Sequence, residues 1–313
     1  RVSQVGADGR LIWDKNGSVY YVNLTEKLLA TMLSKLSNFI PEGGIWMNTQ
    51  RPEWNDANNA LVGYGVSMVT LYYTRRYQQY LLDLLANSEL QEVAISEEIN
   101  ALLKSINSTF ENNKQLLAGK INDEYRKRVV DALGEAGSQF RFGIYENDFS
   151  GNRVMLKTAD LIAFLKLSLE YIDHTIEANR RDDGLYHAYN LMTASEDSLE
   201  VSYLYEMLEG QVAVLSSGYL SPEQALEVLI SLRNSAVYTP RQHSYLLYPD
   251  RELTRFVDKN IISEAQFNSS ELLASLVASG DTSLVEKDSQ GGYHFNGGFN
   301  NVDSAKAVLN SLK

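Results

Sequence analysis

The chain has 313 residues, 44% of them apolar, which suits one large or two modest globular domains and excludes a disordered polymer. Its net charge of −12, with 28 scattered basic residues, argues against nucleic acid as a partner, and no run reaches the roughly 20 apolar residues of a membrane span, so a soluble protein is expected. With no cysteine, disulfides, thiol nucleophiles and cysteine-held metals are excluded, while the compartment stays open.

Taken in order, Val19 to Val22 reads as a short strand and Thr25 to Phe39 as a helix ended by Pro41-Glu42-Gly43-Gly44. A turn-like tract from Gln50 to Asn59 precedes a long helical pattern from about Ala57 to Ala86. Ile95, Ile99, Leu102, Ile106 and Phe110 recur at three or four residues, as do Leu117, Ile121, Tyr125, Val129 and Leu133, and then Leu161, Leu165, Leu169, Ile172 and Ile176. Gln139 to Tyr145 and Tyr293 to Phe295 are the other strand signals. Ser221-Pro222-Glu223-Gln224 is a capping box, Asn268 has the same cap-to-Glu spacing with Glu271, and Asp303 suits the cap of the last helix. The basic pairs and triplets Arg75-Arg76, Arg126-Lys127-Arg128 and Arg180-Arg181 are expected on solvated helix faces. The pattern predicts a mainly α protein of antiparallel helix pairs with a few short β-hairpins, and successive pairs of unequal length suit an (α/α) hairpin toroid.

Five tracts carry chemistry-bearing side chains. Glu53, Trp54, Asn55, Asp56 and Asn58 combine an indole face with carboxylates and amides, the groups that stack on and hydrogen-bond to a sugar. A carboxyl group beside an indole can stay protonated and act as a general acid. The bland alternative is a well-capped helix start. Tyr186, His187, Tyr189 and Asn190 follow Asp182-Asp183-Gly184, in a loop that either binds sugar or packs its tyrosines on the core. Glu209 and Gln211 lie in a helical pattern; Glu209 is a candidate base for water, or a buried structural carboxylate. Arg241, Gln242 and His243 offer donors for a sugar or an oxyanion. The glycines of Gly291 to Asn301 permit close backbone approach but form no phosphate-binding loop. The four histidines make no ligand pair, so no metal site is expected.

Glu53-Trp54-Asn55-Asp56, with Asn58-Asn59 and the glycines Gly63 and Gly65 beyond, resembles the Asp-Trp-Asn-Asp-Gly-Met-Asn tract of cellobiose phosphorylases. Glu53 stands where that tract has Asp, and Ala57 where it has Gly. The wider resemblance is to six-hairpin (α/α)6-toroid glycosidases and glycoside phosphorylases, and over most of the chain to bacterial cellobiose-phosphorylase-like proteins. It implies a single toroid-like catalytic domain over 1–313, or a large part of an (α/α)6 barrel from a longer chain. It also implies cleavage of a glycosidic bond by hydrolysis or phosphorolysis, with Asp56 as general acid and Trp54 as a stacking residue. The partner is then an oligosaccharide, with no cofactor beyond inorganic phosphate as co-substrate of a phosphorylase, in the cytoplasm or periplasm of a bacterium. The alternative is a non-catalytic carbohydrate-binding or assembly protein. Oligomeric state, sugar and linkage stay open.

Overall fold

The computed structural model describes residues 3, 12–13, 17–48, 61–250, 252 and 260–312. The chain divides into two compact units, 1–250 and 251–313.

In the first unit, α1 (Leu24–Leu36) starts where the Asn23 side chain accepts the Glu26 N–H, and it buries Leu29, Met32, Leu33 and Leu36 along one face. The chain then makes β1 (Phe39–Ile40), β2 (Gly44–Trp46) and β3 (Gly65–Ser67). Gly44 has φ 125, and a Cβ there would meet the Ser67 carbonyl oxygen at 2.8 Å, so this close approach requires glycine. Ser67 caps α2 (Met68–Ala86) by accepting the Thr70 N–H. Next come β4 (Glu92–Ser96), α3 (Glu97–Asn112), a 3-10 turn over Lys114–Ala118, α4 (Asp123–Asn147), β5 (Arg153–Lys157) and α5 (Thr158–Ala178). The unit closes with β6 (Tyr189–Ala194), β7 (Leu199–Tyr203), α6 (Leu208–Ser216), α7 (Pro222–Asn234), β8 (Tyr238–Thr239) and β9 (Ser244–Tyr245).

Strands β1-β2-β3-β6-β7 form one antiparallel sheet, in which Gly65 lies opposite Leu191 and Val66 opposite Asn190. A separate ribbon pairs β4 with β5, from Glu92 opposite Lys157 to Ser96 opposite Arg153. Helix α2 packs on α5 and α6, and α3 packs on α4 and α1. The core runs through these helices and carries Phe110 and Tyr171 stacked at 4.4 Å, with the Tyr171 hydroxyl donating to the Phe110 carbonyl at 2.7 Å.

The second unit has β10 (Ile261–Ile262), α8 (Glu264–Asn268), α9 (Glu271–Ser279), β11 (Val285–Lys287), β12 (Tyr293–Phe295) and α10 (Val302–Ser311). Its sheet runs β10-β12-β11, and its core gathers Ile262, Phe267, Leu276, Leu284 and Val285. The Phe267 and Tyr293 rings stack at 3.6 Å.

The toroid expectation is overturned. Among the described residues helix makes up 53% and strand 16%, and the strands build a curled five-stranded antiparallel half-barrel plus smaller sheets; a ring of helical hairpins is not shown. The sheet draws on strands of two to six residues, and its central β3–β6 pairing joins Gly65 to Leu191, so periodicity does not reveal it. Gln139 to Tyr145, expected as a strand, continues α4, because Leu133, Ala136 and Ile144 hold a helical spacing toward the core. The long helix expected from Ala57 begins at Met68, after β3. The caps of α9 and α10 are Ser270 and Asn301 in place of Asn268 and Asp303, while the Ser221 box forms as expected. Among the described residues, no helix is long and apolar enough to cross a membrane.

Candidate functional site

The stretch after α5 is shaped by its own turn. Gly184, at φ 79, turns the backbone, and the Asp183 carboxylate accepts the Leu185 N–H at 3.1 Å and the Arg181 guanidinium at 2.8 Å. Burial works to raise the Asp183 pKa, but the Arg181 hydrogen bond, the Leu185 N–H and the Arg181 charge outweigh it and hold this carboxyl below its usual range. Arg181 also reaches Glu206 at 3.4 Å. From Leu185 to Asn190 every residue is buried.

Tyr186 and Gln211 form a clamp. The Gln211 side-chain oxygen accepts the Tyr186 N–H at 2.9 Å, while its amide donates to the Tyr186 carbonyl at 2.7 Å and the Met207 carbonyl at 3.1 Å. The buried Asn190 amide donates to the Gly43 carbonyl at 2.8 Å and the Asn179 side-chain oxygen at 2.7 Å. Gln211 and Asn190 therefore hold backbone in place. Gly210 lets α6 approach this stretch, since a Cβ there would sit 2.9 Å from Ala188 Cα.

His187 is nine-tenths buried and stacks on Tyr203 at 4.4 Å and 15°. Burial pushes its pKa down to about 4, and the Arg181 charge adds to the shift. The imidazole is thus neutral at pH 7, and its buried Nδ1 has no hydrogen-bond partner among the described residues. An open cavity of about 400 Å³ lies here, bordered by Arg180, Arg181, Asp183, His187 and Tyr203. It offers an aromatic face and a neutral imidazole beside neutralised guanidinium groups.

Glu209 lies in the first turn of α6, where the helix dipole favours a carboxylate. The Tyr189 hydroxyl donates to its Oε2 at 2.9 Å. Beside them Leu61, Ala188, Tyr189 and Met207 form an apolar cluster that Met47 packs against. Met47 and Leu61 flank the Trp-Asn-Asp tract, and the Gly63 N–H donates to the Met47 carbonyl at 2.7 Å. The described residues on either side of the tract therefore lie beside Tyr189 and Met207. Glu53, Trp54, Asn55, Asp56 and Asn58 themselves lie outside the described residues.

Arg241, Gln242 and His243 are exposed at the tip of the β8–β9 hairpin, where the Gln242 N–H donates to the Thr239 carbonyl at 3.2 Å and His243 takes φ 49. The stem leads to Leu247, whose carbonyl accepts the Leu208 N–H at the start of α6.

The basic residues expected at the surface include two structural anchors. Arg126 is 3% exposed; it pairs with Glu42 at 2.8 Å and with Asp123, and donates to the carbonyls of Pro41, Ile121 and Leu199. Glu42 in turn receives the Ile121 N–H at 2.8 Å and donates its own N–H to Thr175 Oγ1 at 3.0 Å. Arg75, 9% exposed, binds Asp173 at 2.6 Å and the Ser217 carbonyl at 3.0 Å. A charged triplet reads as a solvated face because sequence does not show which loop folds over it.

Residues 253–313 match the family model described as GH149 phosphorylase insertion domain 2, over nearly the whole second unit. The match relates the chain to glycoside phosphorylases. It covers the smaller unit alone, so the first unit's part in any reaction rests on its own geometry. No curated protein matches the chain.

Proposed function

We propose that the chain takes part in phosphorolysis of a glycosidic bond in an oligosaccharide. The observation that carries this reading is the match of the second unit to a phosphorylase insertion domain. It favours phosphorolysis over hydrolysis, which the sequence motif alone left level. Asp56 donates its proton to the glycosidic oxygen, the bond from that oxygen to the anomeric carbon breaks, and an oxygen of inorganic phosphate bonds to the same carbon. The products are a sugar 1-phosphate and a chain one residue shorter.

The geometry supports this assignment in two ways. The flanks of the Asp56 tract pack beside Tyr189, whose hydroxyl is bound to Glu209, and a carboxylate and a phenol are groups that can bind sugar hydroxyls. Tyr203 and the His187 ring stacked on it border an open cavity and give it an aromatic surface. Because phosphate is the nucleophile, Glu209 serves as a hydroxyl acceptor and need not activate water.

A non-catalytic carbohydrate-binding or assembly protein is the second reading, favoured by the fact that the matched domain is an insertion. The two are separated by incubating the chain with gluco- and manno-oligosaccharides, with and without phosphate, and assaying sugar 1-phosphate. Phosphate-dependent product that disappears in Asp56→Asn supports the first reading; saccharide binding without turnover supports the second.

A further inference from the structure

We propose that the cleft between Trp46 and α4 is a second saccharide-binding site, separate from the Tyr189–Glu209 corner. Choosing a saccharide as ligand rests on the carbohydrate reading above, but the cleft itself does not.

Side chains alternate along an extended strand, so neighbours at the end of β2 serve opposite faces. Met47 packs with Leu61, Tyr189 and Met207, whereas Trp46 packs against Ile40, Val66 and Leu199. Trp46 and Asn48 border the same cavity, of about 610 Å³, with α4 as the facing wall. That volume lies within the roughly 300–1,000 Å³ of small-molecule clefts.

The Trp46 ring is fixed as a platform, because its Nε1 donates to the Gly63 carbonyl at 3.0 Å. The polar groups beside it are held as well: Asn48 donates to Asn38 Oδ1, and Asn38 donates to the Ser34 carbonyl at 2.9 Å. Serines 37 and 138 add hydroxyls, and Arg141 is the one charged group among the described lining residues. Aromatic and apolar side chains (Leu102, Phe140 and Ile144 besides Trp46) interspersed with neutral amides and hydroxyls suit a neutral ligand that has both hydroxyls and apolar ring faces, as a saccharide does. It does not suit a polyanion, which a single guanidinium in a chain of net charge −12 would hold weakly.

On the facing wall, beside Ser138, Phe140, Arg141, Ile144 and Tyr145, two positions, Gly134 and Gly137, carry no side chain. Gly137 has a packing reason, since a Cβ there would lie 2.8 Å from Ser37 Cβ. Gly134 has none, because a Cβ there meets no heavy atom within 4 Å. A helix-interior glycine is less stable than alanine, so the fold would gain from a side chain at 134. What the glycine provides is width opposite Trp46.

The test is calorimetric titration of neutral gluco- and manno-oligosaccharides into the full chain carrying Asp56→Asn, alone and with Gly134→Leu or Trp46→Ala. The expected result is saccharide binding that weakens at least tenfold with Gly134→Leu, while thermal stability is kept or raised. Trp46→Ala should weaken it similarly. No binding, or binding indifferent to both changes, overturns the proposal. The same Gly134→Leu change in an otherwise native chain separates this site from the reaction. Phosphorolysis of the shortest substrates unchanged by Gly134→Leu, with binding lost, supports a distinct site. Binding indifferent to Gly134→Leu while phosphorolysis proceeds sinks this proposal alone. Absent phosphorolysis with Gly134-dependent binding keeps the cleft and removes the catalytic reading.

Discussion

The hydroxyl of Tyr189 donates a 2.9 Å hydrogen bond to Oε2 of Glu209, tying the first residue of β6 to the first turn of α6. The bond fixes a carboxylate beside the flanks of the Trp-Asn-Asp tract. If phosphate is the nucleophile, no base is needed at this position, so Glu209→Gln should leave phosphate-dependent turnover within about tenfold and act mainly on KM. A general base contributes roughly 10²–10⁴-fold, so a loss of that size in kcat would mark Glu209 as the base of a hydrolase. Steady-state kinetics with saturating phosphate decides between them.

Tyr189→Phe removes the donor and keeps the ring. Stability should fall by about 1 kcal/mol, the net worth of one hydrogen bond, and urea unfolding measures it. KM should rise as in Glu209→Gln, because the carboxylate loses its anchor.

Arg126 and Glu42 form an ion pair in which both side chains are almost fully buried. Arg126→Met leaves the Glu42 charge without its partner, and breaking such a pair costs about 3–5 kcal/mol. The loss should appear as a lower urea midpoint. Because Asn179 bonds both the Glu42 carbonyl and Asn190, the start of β6 should lose amide-exchange protection as well.

His187 makes stability depend on pH with a defined sign. Its pKa is about 4 in the folded chain against 6.5 ordinarily, lowered first by burial and then by Arg181. Between these values the unfolded chain binds a proton that the folded chain does not, so this stabilisation is full above about pH 6.5, declines as pH falls and is exhausted below about pH 4. His187→Phe keeps the stack on Tyr203 and removes the titration. Its unfolding free energy should therefore fall less steeply than that of the native chain between pH 6.5 and 4; equal slopes would show that the folded imidazole titrates normally.

Gly210→Ala places a methyl group against the Ala188 backbone and should cost about 1–3 kcal/mol through overpacking. The displaced helix turn carries Glu209, so KM should rise together with the drop in melting temperature.

Helices were legible where local chemistry decides them. The Ser221 box and the apolar spacings from Ile99 to Phe110 and from Leu161 to Ile176 correspond to helices, whereas Ile95, which fits the first spacing, belongs to strand β4. Gln139 to Tyr145 misled because Phe140, Phe142 and Tyr145 favour strands in isolation, whereas the helix started at Asn122 carries through them. The half-barrel was illegible because β3 and β6 are only three and six residues long and pair across a long stretch of chain, Gly65 with Leu191. At the site, sequence identified the residue types of Tyr189 and Glu209 but not their pairing. It also gave no sign that Gln211 and Asn190 clamp backbone, or that Glu42, read as part of a helix stop, anchors Arg126.

The most direct test of the central claim is the phosphorus NMR spectrum of the chain incubated with mixed oligosaccharides and inorganic phosphate. The account predicts a growing sugar 1-phosphate resonance at the expense of phosphate, absent in Asp56→Asn. New reducing ends with an unchanged phosphate signal, or a resonance that persists in Asp56→Asn, would contradict it.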